Sequence, residues 1–557
     1  MRPASSITLA LAAILGIIGG LAVGVSAWTR QSARAPVAVS AAAAAVPSAP
    51  GVRDAAARYG PLAAAPGIYP LQTSSSQASF ESVRSPASSF AAALVPFSLS
   101  DPAAASDSGL PGLWTPLGEP TSTPPPGSTD ATPAPPLAIS DVQAVSLSAF
   151  SATISWRTSE PISSRVSYGV DVPTLWTAPA APSVDHVATL TGLTFDTAYR
   201  VSVDARADDG RGASAPFLLN TPGLTGAERT VADGDVIRVD GQPFFPTIVW
   251  NACTEGYPTN LAAGIDLFMG NGCGTARDQL AQLQGRALSV TSAHGPAASG
   301  PGLAGTFLPD EWDLNLPGSL SPAEATRLAS TSSAGPRFLT LSNHFYSQAS
   351  PLPQGRALYP ALVANAEVVG FDLYPLQSWC RFDSFGDVFA AQKELVQLAS
   401  GKPTFQWIEA RRMDCNDPRL DPTPETVRAE TWLAIAAGAH AIGYFPNDWS
   451  PEVAAEIARE KREIETLVPA LTQPALDARA GGSSLRVGAR ELNGAVYVIV
   501  VNASRSPASD TIVVPALGDR TLLTLDGTGS VAASAGSFTD SLGPLEVHVY
   551  VAPPVAL

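Results

Sequence analysis

FFPTIVWN at residues 244–251 begins a pattern that returns seven more times: IDLFMGN (265–271), ALSVTSA (287–293), GTFLPDE (305–311), RFLTLSNH (337–344), VVGFDLYP (368–375), PTFQWIEA (403–410) and AIGYFPND (441–448). Each run is short, β-rich and closed by a turn, and most are followed by apolar residues at helical spacing. Eight such units in series predict a (β/α)8 barrel over about 235–471, a fold whose active sites gather at the C-terminal strand ends. One unit is defective, because HGPAASGPGL (294–303) is too rich in Gly and Pro for a crossover helix.

Working outward, TVADGDVIRVDGQPFF (230–245) reads as a hairpin with Asp240-Gly241 at its turn, leading into the first barrel strand. Upstream, from 137 to 222, the alternating runs ATISWRT, SRVSYGV, HVATLTGL and AYRVSVDARA have the spacing of an all-β sandwich. Trp156, then Leu190 and Leu193, then Tyr199, Val201 and Val203 give this stretch a resemblance to a fibronectin type III domain. That resemblance implies core-filling roles for these side chains and a spacer or binding module with no chemistry. Downstream, 472–557 returns to strands, with Asn493-Gly494 as a hairpin turn, and reads as a C-terminal β-sandwich. The fold class expected is therefore multidomain: a (β/α)8 TIM barrel between two β-sandwiches.

The remaining N-terminal residues carry a different signal. Residues 29–136 are dominated by Ala, Ser and Pro and end in TSTPPPGSTDATPAPP, the composition of an extended stalk that buries too little apolar surface to fold. Residues 1–28 contain an apolar run from Ile7 to Trp28 behind Arg2, with Val25-Ser26-Ala27 near its end. A cleaved signal peptide and an uncleaved membrane anchor both fit. Either places the rest of the chain outside the cytoplasm, secreted or tethered to the cell envelope.

Among the 557 residues the formal charge is −16, which argues against a nucleic-acid partner. Four cysteines suit an oxidising compartment. Cys253 and Cys273 follow the first and second barrel runs; Cys380 and Cys415 follow the sixth and seventh. Neighbouring strands bring their loops together, so 253–273 and 380–415 are the pairings expected among the three possible, with free thiols as the alternative. Five histidines and no Cys-x-x-Cys spacing give no reason to expect a metal site.

Chemistry concentrates at the strand ends. Glu311 closes the fourth run and Glu409 the seventh, and alternation places Asp372 with Tyr374 on the sixth and His344 with Ser342 on the fifth. Paired carboxylates are the machinery of glycoside hydrolysis. The arrangement, from about Asp235 to Leu471, resembles clan A of the glycoside hydrolases. The resemblance implies that Glu311 is the acid/base and Glu409 the nucleophile of a retaining mechanism, with no cofactor. It further implies that Tyr374 hydrogen-bonds Glu409, and that Asn251, Asp310, His344, Asp372 and Trp449 line a carbohydrate site. Asp310 stands where the family has Asn, a departure that leaves a second reading open: a non-catalytic surface protein that binds glycans on a degenerate barrel. The bland alternatives are a solvated or capping role for Glu311, pairing of Glu409 with Arg411 and Arg412, and core packing for Trp449.

Overall fold

The computed structural model describes residues 134–293, 295–315 and 335–555. The expected leader at 1–28 and the stalk as far as residue 133 lie outside the described residues.

The first described elements form one antiparallel sheet: β1 (Ile139–Leu147), β2 (Ser151–Gly169), β3 (Leu175–Trp176), β4 (Ala180–Thr191), β5 (Ala198–Arg206) and β6 (Gly212–Asn220). Two runs expected as separate strands are joined in β2, which spans 19 residues. No turn sequence separates them; instead the register slips between Arg157 and Ile162, around Pro161. The first half of β2 pairs β1 and β4, and the second half pairs β3 and β5. Trp156, Leu190, Leu193, Tyr199, Val201 and Val203 are all buried, and the Tyr199 hydroxyl accepts the Thr194 N–H at 2.8 Å, pinning the turn before β5.

Strands β7 (Thr230–Asp233), β8 (Val236–Val239) and β9 (Gln242–Phe244) form a three-stranded meander. Asp240 and Gly241 at its second turn take φ of 51° and 77°, the left-handed pair that a tight hairpin needs.

The barrel follows as β10 (Thr247–Trp250), β11 (Leu267–Met269), β12 (Leu288–Ser292), β13 (Leu303–Phe307), β14 (Arg337–Leu341), β15 (Val368–Asp372), β16 (Thr404–Glu409) and β17 (Ala441–Phe445). It is closed, every neighbour is parallel, and β17 pairs back onto β10. Among the described residues no helix joins β12 to β13, in keeping with the Gly/Pro content. Elsewhere the helices are specified locally. The helix Pro424–Ala437 is opened by a capping box between Thr423 and Thr426, and it stops at Gly438, whose φ of 107° is open to glycine.

Alternation sorts the barrel residues by face. Ile248, Leu267, Met269, Leu288, Val290, Phe338, Val368, Phe405 and Trp407 fill the interior. Val249, Phe268, Leu339, Val369, Phe371, Ile408, Ile442 and Tyr444 pack outward under the helices. Two glycines make room for the largest interior rings. A Cβ on Gly370 would sit 2.2 Å from the Phe405 ring, and one on Gly443 2.2 Å from the Trp407 ring. The upper interior is therefore aromatic by construction.

The chain ends in two antiparallel sheets. One contains β18 (Arg479–Ala480), β21 (Ala508–Val513) and β24 (Ser537–Leu542). The other contains β19 (Leu485–Leu492), β20 (Ala495–Asn502), β22 (Thr521–Thr524), β23 (Ser530–Ala532) and β25 (Val547–Ala552). Their facing residues, among them Val487, Val498, Ile512 and Phe538, share one apolar cluster. Every residue of β20 is buried, because its other face (Tyr497, Ile499, Val501) joins the core that runs under the barrel helices. Each such side chain contributes roughly 1.5–3 kcal/mol by leaving water.

Candidate active site

The C-terminal strand ends form a cup with an aromatic floor and an acidic side. Trp250 meets Phe307 edge-on at 4.9 Å and Trp407 at 6.2 Å, while Tyr374 stacks on Phe445 at 6.0 Å. Trp250, Phe307 and Phe445 keep part of their surface exposed, whereas Trp407 and Tyr374 are buried. Such rings offer flat apolar faces beside polar groups, the mixture that small-molecule sites use.

The acids come from two strand ends. After β13 the chain runs Leu308-Pro309-Asp310-Glu311 into the short helix Trp312–Asn315. Glu311 adopts φ of 40°, the left-handed region that costs a side-chain-bearing residue free energy and persists only where surroundings fix it. The fixing is visible two residues on. Asp313 is fully buried, and its carboxylate accepts the Ser342 N–H at 2.9 Å, the Ser342 hydroxyl at 2.5 Å and the Tyr359 hydroxyl at 2.9 Å. This brace ties the loop after β13 to the end of β14. Sequence reasoning missed Asp313; its signal was the D-E-W-D spacing, with a second acid one short turn beyond Glu311.

Burial first, then the charges of Asp310 and Asp313, push the Glu311 carboxyl up to about 7. Asp310 keeps an exposed edge, yet the surrounding protein and the charge of Asp313 push it up to about 6, against a hydrogen bond from the Glu311 backbone. Asp372, at the end of β15, is held well above the ordinary carboxylate range by burial and then by Asp310 and Glu311. The acids at the end of β13 thus add to what burial does to the carboxyl at the end of β15. The Tyr374 hydroxyl donates to Asp372 Oδ1, which marks Oδ2 as the oxygen free to carry a proton.

Several expected positions differ. Tyr374 serves Asp372, not Glu409. Glu409 has 0% exposure, and its Oε1 and Oε2 accept the N–H groups of Leu376 at 2.7 Å and Gln377 at 2.8 Å. An expected nucleophile is therefore sealed beneath the turn after β15. Strand alternation had assigned Glu409 its face but carried no information about what covers it. Its charge is not met by the following arginines, since Arg411 pairs with Asp448 and Arg412 with Asp421. Burial pushes the Glu409 carboxyl up to about 7, opposed by the Leu376 N–H, a contact with Glu430 and the Gln377 N–H.

Trp449 packs edge-on against Tyr444 in the layer beneath the helices, and its indole N–H donates to Pro446 O at 2.5 Å. That is the core alternative for Trp449; Trp250 supplies the floor instead. His344 turns onto its own loop, with Nδ1 at 2.6 Å from Ser350 O. Asn251 lies at the end of β10, exposed, with φ of 47°. The disulfides are Cys253–Cys273 and Cys380–Cys415, with Cα separations of 4.9 and 5.6 Å, which are the pairings expected from strand adjacency. The first closes the loops of β10 and β11, the second those of β15 and β16.

No protein-family model matches the chain, and no curated protein does either. Among solved structures, a candidate α-galactosidase/melibiase from Bacteroides fragilis is similar at 12% identity and a TM-score of 0.38, covering 75% of this chain and 98% of its own. A GH30 endoxylanase from Clostridium papyrosolvens gives 13% identity and a TM-score of 0.36, with 58% and 99% covered. An α-galactosidase I from Mortierella vinacea gives 13% and 0.33, with 55% and 96% covered. At these scores the likenesses decide neither fold nor chemistry, which rest on the barrel and the cup of this chain.

Proposed function

We propose that this protein is an exported glycoside hydrolase whose reacting carboxyls are Glu311 and Asp372, from the fourth and sixth strand ends. The observation that supports the reading is geometric: acids at the ends of β13 and β15 stand beside a partly exposed aromatic floor, and burial, then Asp310 and Glu311, hold the Asp372 carboxyl high. Acid–base catalysis needs one group that keeps its proton and one that loses it, and environments that drive pKa values apart identify the two. Asp372, held well above the ordinary carboxylate range, retains the proton, on Oδ2, for the departing glycosidic oxygen. Glu311 titrates near neutrality and supplies the carboxylate that attacks the anomeric carbon. Retention is the outcome a carboxyl separation of about 5–5.5 Å would give. Trp250, Phe307 and Phe445 stack the sugar, and Asn251 and Asp310 hydrogen-bond its hydroxyls.

The Glu311–Glu409 pair drawn from the clan A resemblance is the less favoured form of this mechanism, because Glu409 has no surface in the cup. That same burial favours a second reading, a glycan-binding barrel without turnover. Export is supported by the Ile7–Trp28 segment and by two disulfides, which persist outside the cytoplasm. The fibronectin-like module at 137–222 and the C-terminal β-sandwich at 472–557 then act as spacers around the barrel at 235–471.

A panel of activated aryl glycosides tests the proposal, with wild type beside Glu311→Gln and Asp372→Asn and with NMR reading the product anomer. Turnover that both variants lose supports it. Glycan binding without turnover in wild type establishes the second reading.

A further inference from the structure

We infer that Glu409 is a positioning residue: it fixes the turn after β15 and, through Tyr374, the carboxyl of Asp372. This rests on the reading of Glu311 and Asp372 as the reacting pair. Both Glu409 oxygens are occupied by consecutive backbone N–H groups, Leu376 and Gln377, which follow directly on Tyr374-Pro375. The turn then wraps back, with the Ser378 and Trp379 N–H groups donating to Tyr374 O at 3.0 and 3.1 Å.

The same two loops are tied three further ways. The Gln377 side chain donates to Leu420 O at 2.7 Å and accepts the Met413 N–H at 2.6 Å, and Cys380 is bonded to Cys415. Tyr374 emerges from this assembly stacked on Phe445 with its hydroxyl on Asp372. A small shift of the turn would lift that hydroxyl from Asp372 and change which oxygen holds the proton.

The far side of Glu409 is equally specific. Glu430, on the helix Pro424–Ala437, is buried against it, beside both the carboxyl and the backbone of Glu409. Glu460 faces this region from the helix Pro451–Leu471, Arg428 from the same helix as Glu430, and Tyr444 from β17. Burial and the neighbouring Glu409 hold the Glu430 carboxyl well above the ordinary carboxylate range, so of the two it is Glu430 that keeps its proton, while the Leu376 and Gln377 N–H groups favour the ionised form of Glu409. Two adjacent buried acids thus have separate duties, one a clamp and one its neutral neighbour.

The test separates a clamp from a nucleophile. In Glu409→Gln, confirmed folded by circular dichroism, an amide NH2 must face one of two N–H donors. Hydrogen exchange at Leu376 and Gln377 is expected to accelerate tenfold or more, and the pH–rate profile to shift while KM changes little. Azide is expected to restore turnover to Glu311→Ala, yielding a glycosyl azide, and to restore none to Glu409→Ala. Unchanged exchange in Glu409→Gln, or a glycosyl azide from Glu409→Ala, overturns the assignment. If wild type turns over no glycoside, the hydrolase reading fails by itself, and the exchange measurement still decides the clamp.

Discussion

Glu311→Gln is expected to make the protein more stable at alkaline pH while removing its activity. The carboxyl is raised from 4.5 to about 7 in the folded chain, so folding favours its protonated form. The sign follows from linkage: its stabilising contribution is complete below about pH 4.5 and is lost as pH rises through about 7. A shift of about 2.5 units at roughly 1.4 kcal/mol each makes the wild type about 3 kcal/mol less stable at pH 8 than this residue allows at pH 4. Glutamine carries no charge and escapes the loss. For a barrel of this size about 3 kcal/mol corresponds to roughly 5–10 °C in Tm. Thermal unfolding followed by the fluorescence of Trp250 and Trp407 should show Tm curves that coincide near pH 4 and diverge steadily toward pH 8. A variant equal to wild type at every pH would make Glu311 an ordinary solvated loop acid and refute the reasoning.

Other outcomes follow from the same geometry. Cys380→Ser with Cys415→Ser opens a link spanning 35 residues, worth about 3–4 kcal/mol by loop entropy, and should lower chemical-denaturation stability by that order together with turnover. Gly443→Ala places a methyl 2.2 Å from the Trp407 ring; it should cost about 1–3 kcal/mol and shift the indole fluorescence. Trp156→Ala should cost about 3–5 kcal/mol in the N-terminal sheet and leave turnover in the barrel unchanged, as measured by separate unfolding transitions and the aryl-glycoside assay.

The repeating architecture was legible in the sequence because it is written in short-range terms. Period-two runs ended by turns gave the eight barrel strands, Asp240-Gly241 and Asn493-Gly494 took positive φ, and loop adjacency paired the cysteines. The join of two runs into β2 was not legible, since Pro161 reads as a breaker and the structure absorbs it in a register slip. The acidic end of the fourth strand was legible as a position. What neutralises or covers each acid was not, because those partners are distant in sequence: Ser342 and Tyr359 for Asp313, and Leu376 and Gln377 for Glu409. Trp449 lies away from its expected place for a related reason. Trp250 ends β10 and Trp449 follows β17, and only packing against Phe307 or Tyr444 tells the cup from the helix layer.

The most direct measurement is the dependence of kcat/KM on leaving-group acidity for Asp372→Asn and Glu311→Gln beside wild type. If Asp372 protonates the departing oxygen, its asparagine variant should keep much of its rate on dinitrophenyl glycosides and lose about 10²–10⁴-fold on alkyl glycosides. Glu311→Gln should lose rate evenly across the series. An even loss for Asp372→Asn, or a leaving-group-dependent loss for Glu311→Gln, would contradict the pairing of the fourth and sixth strand ends.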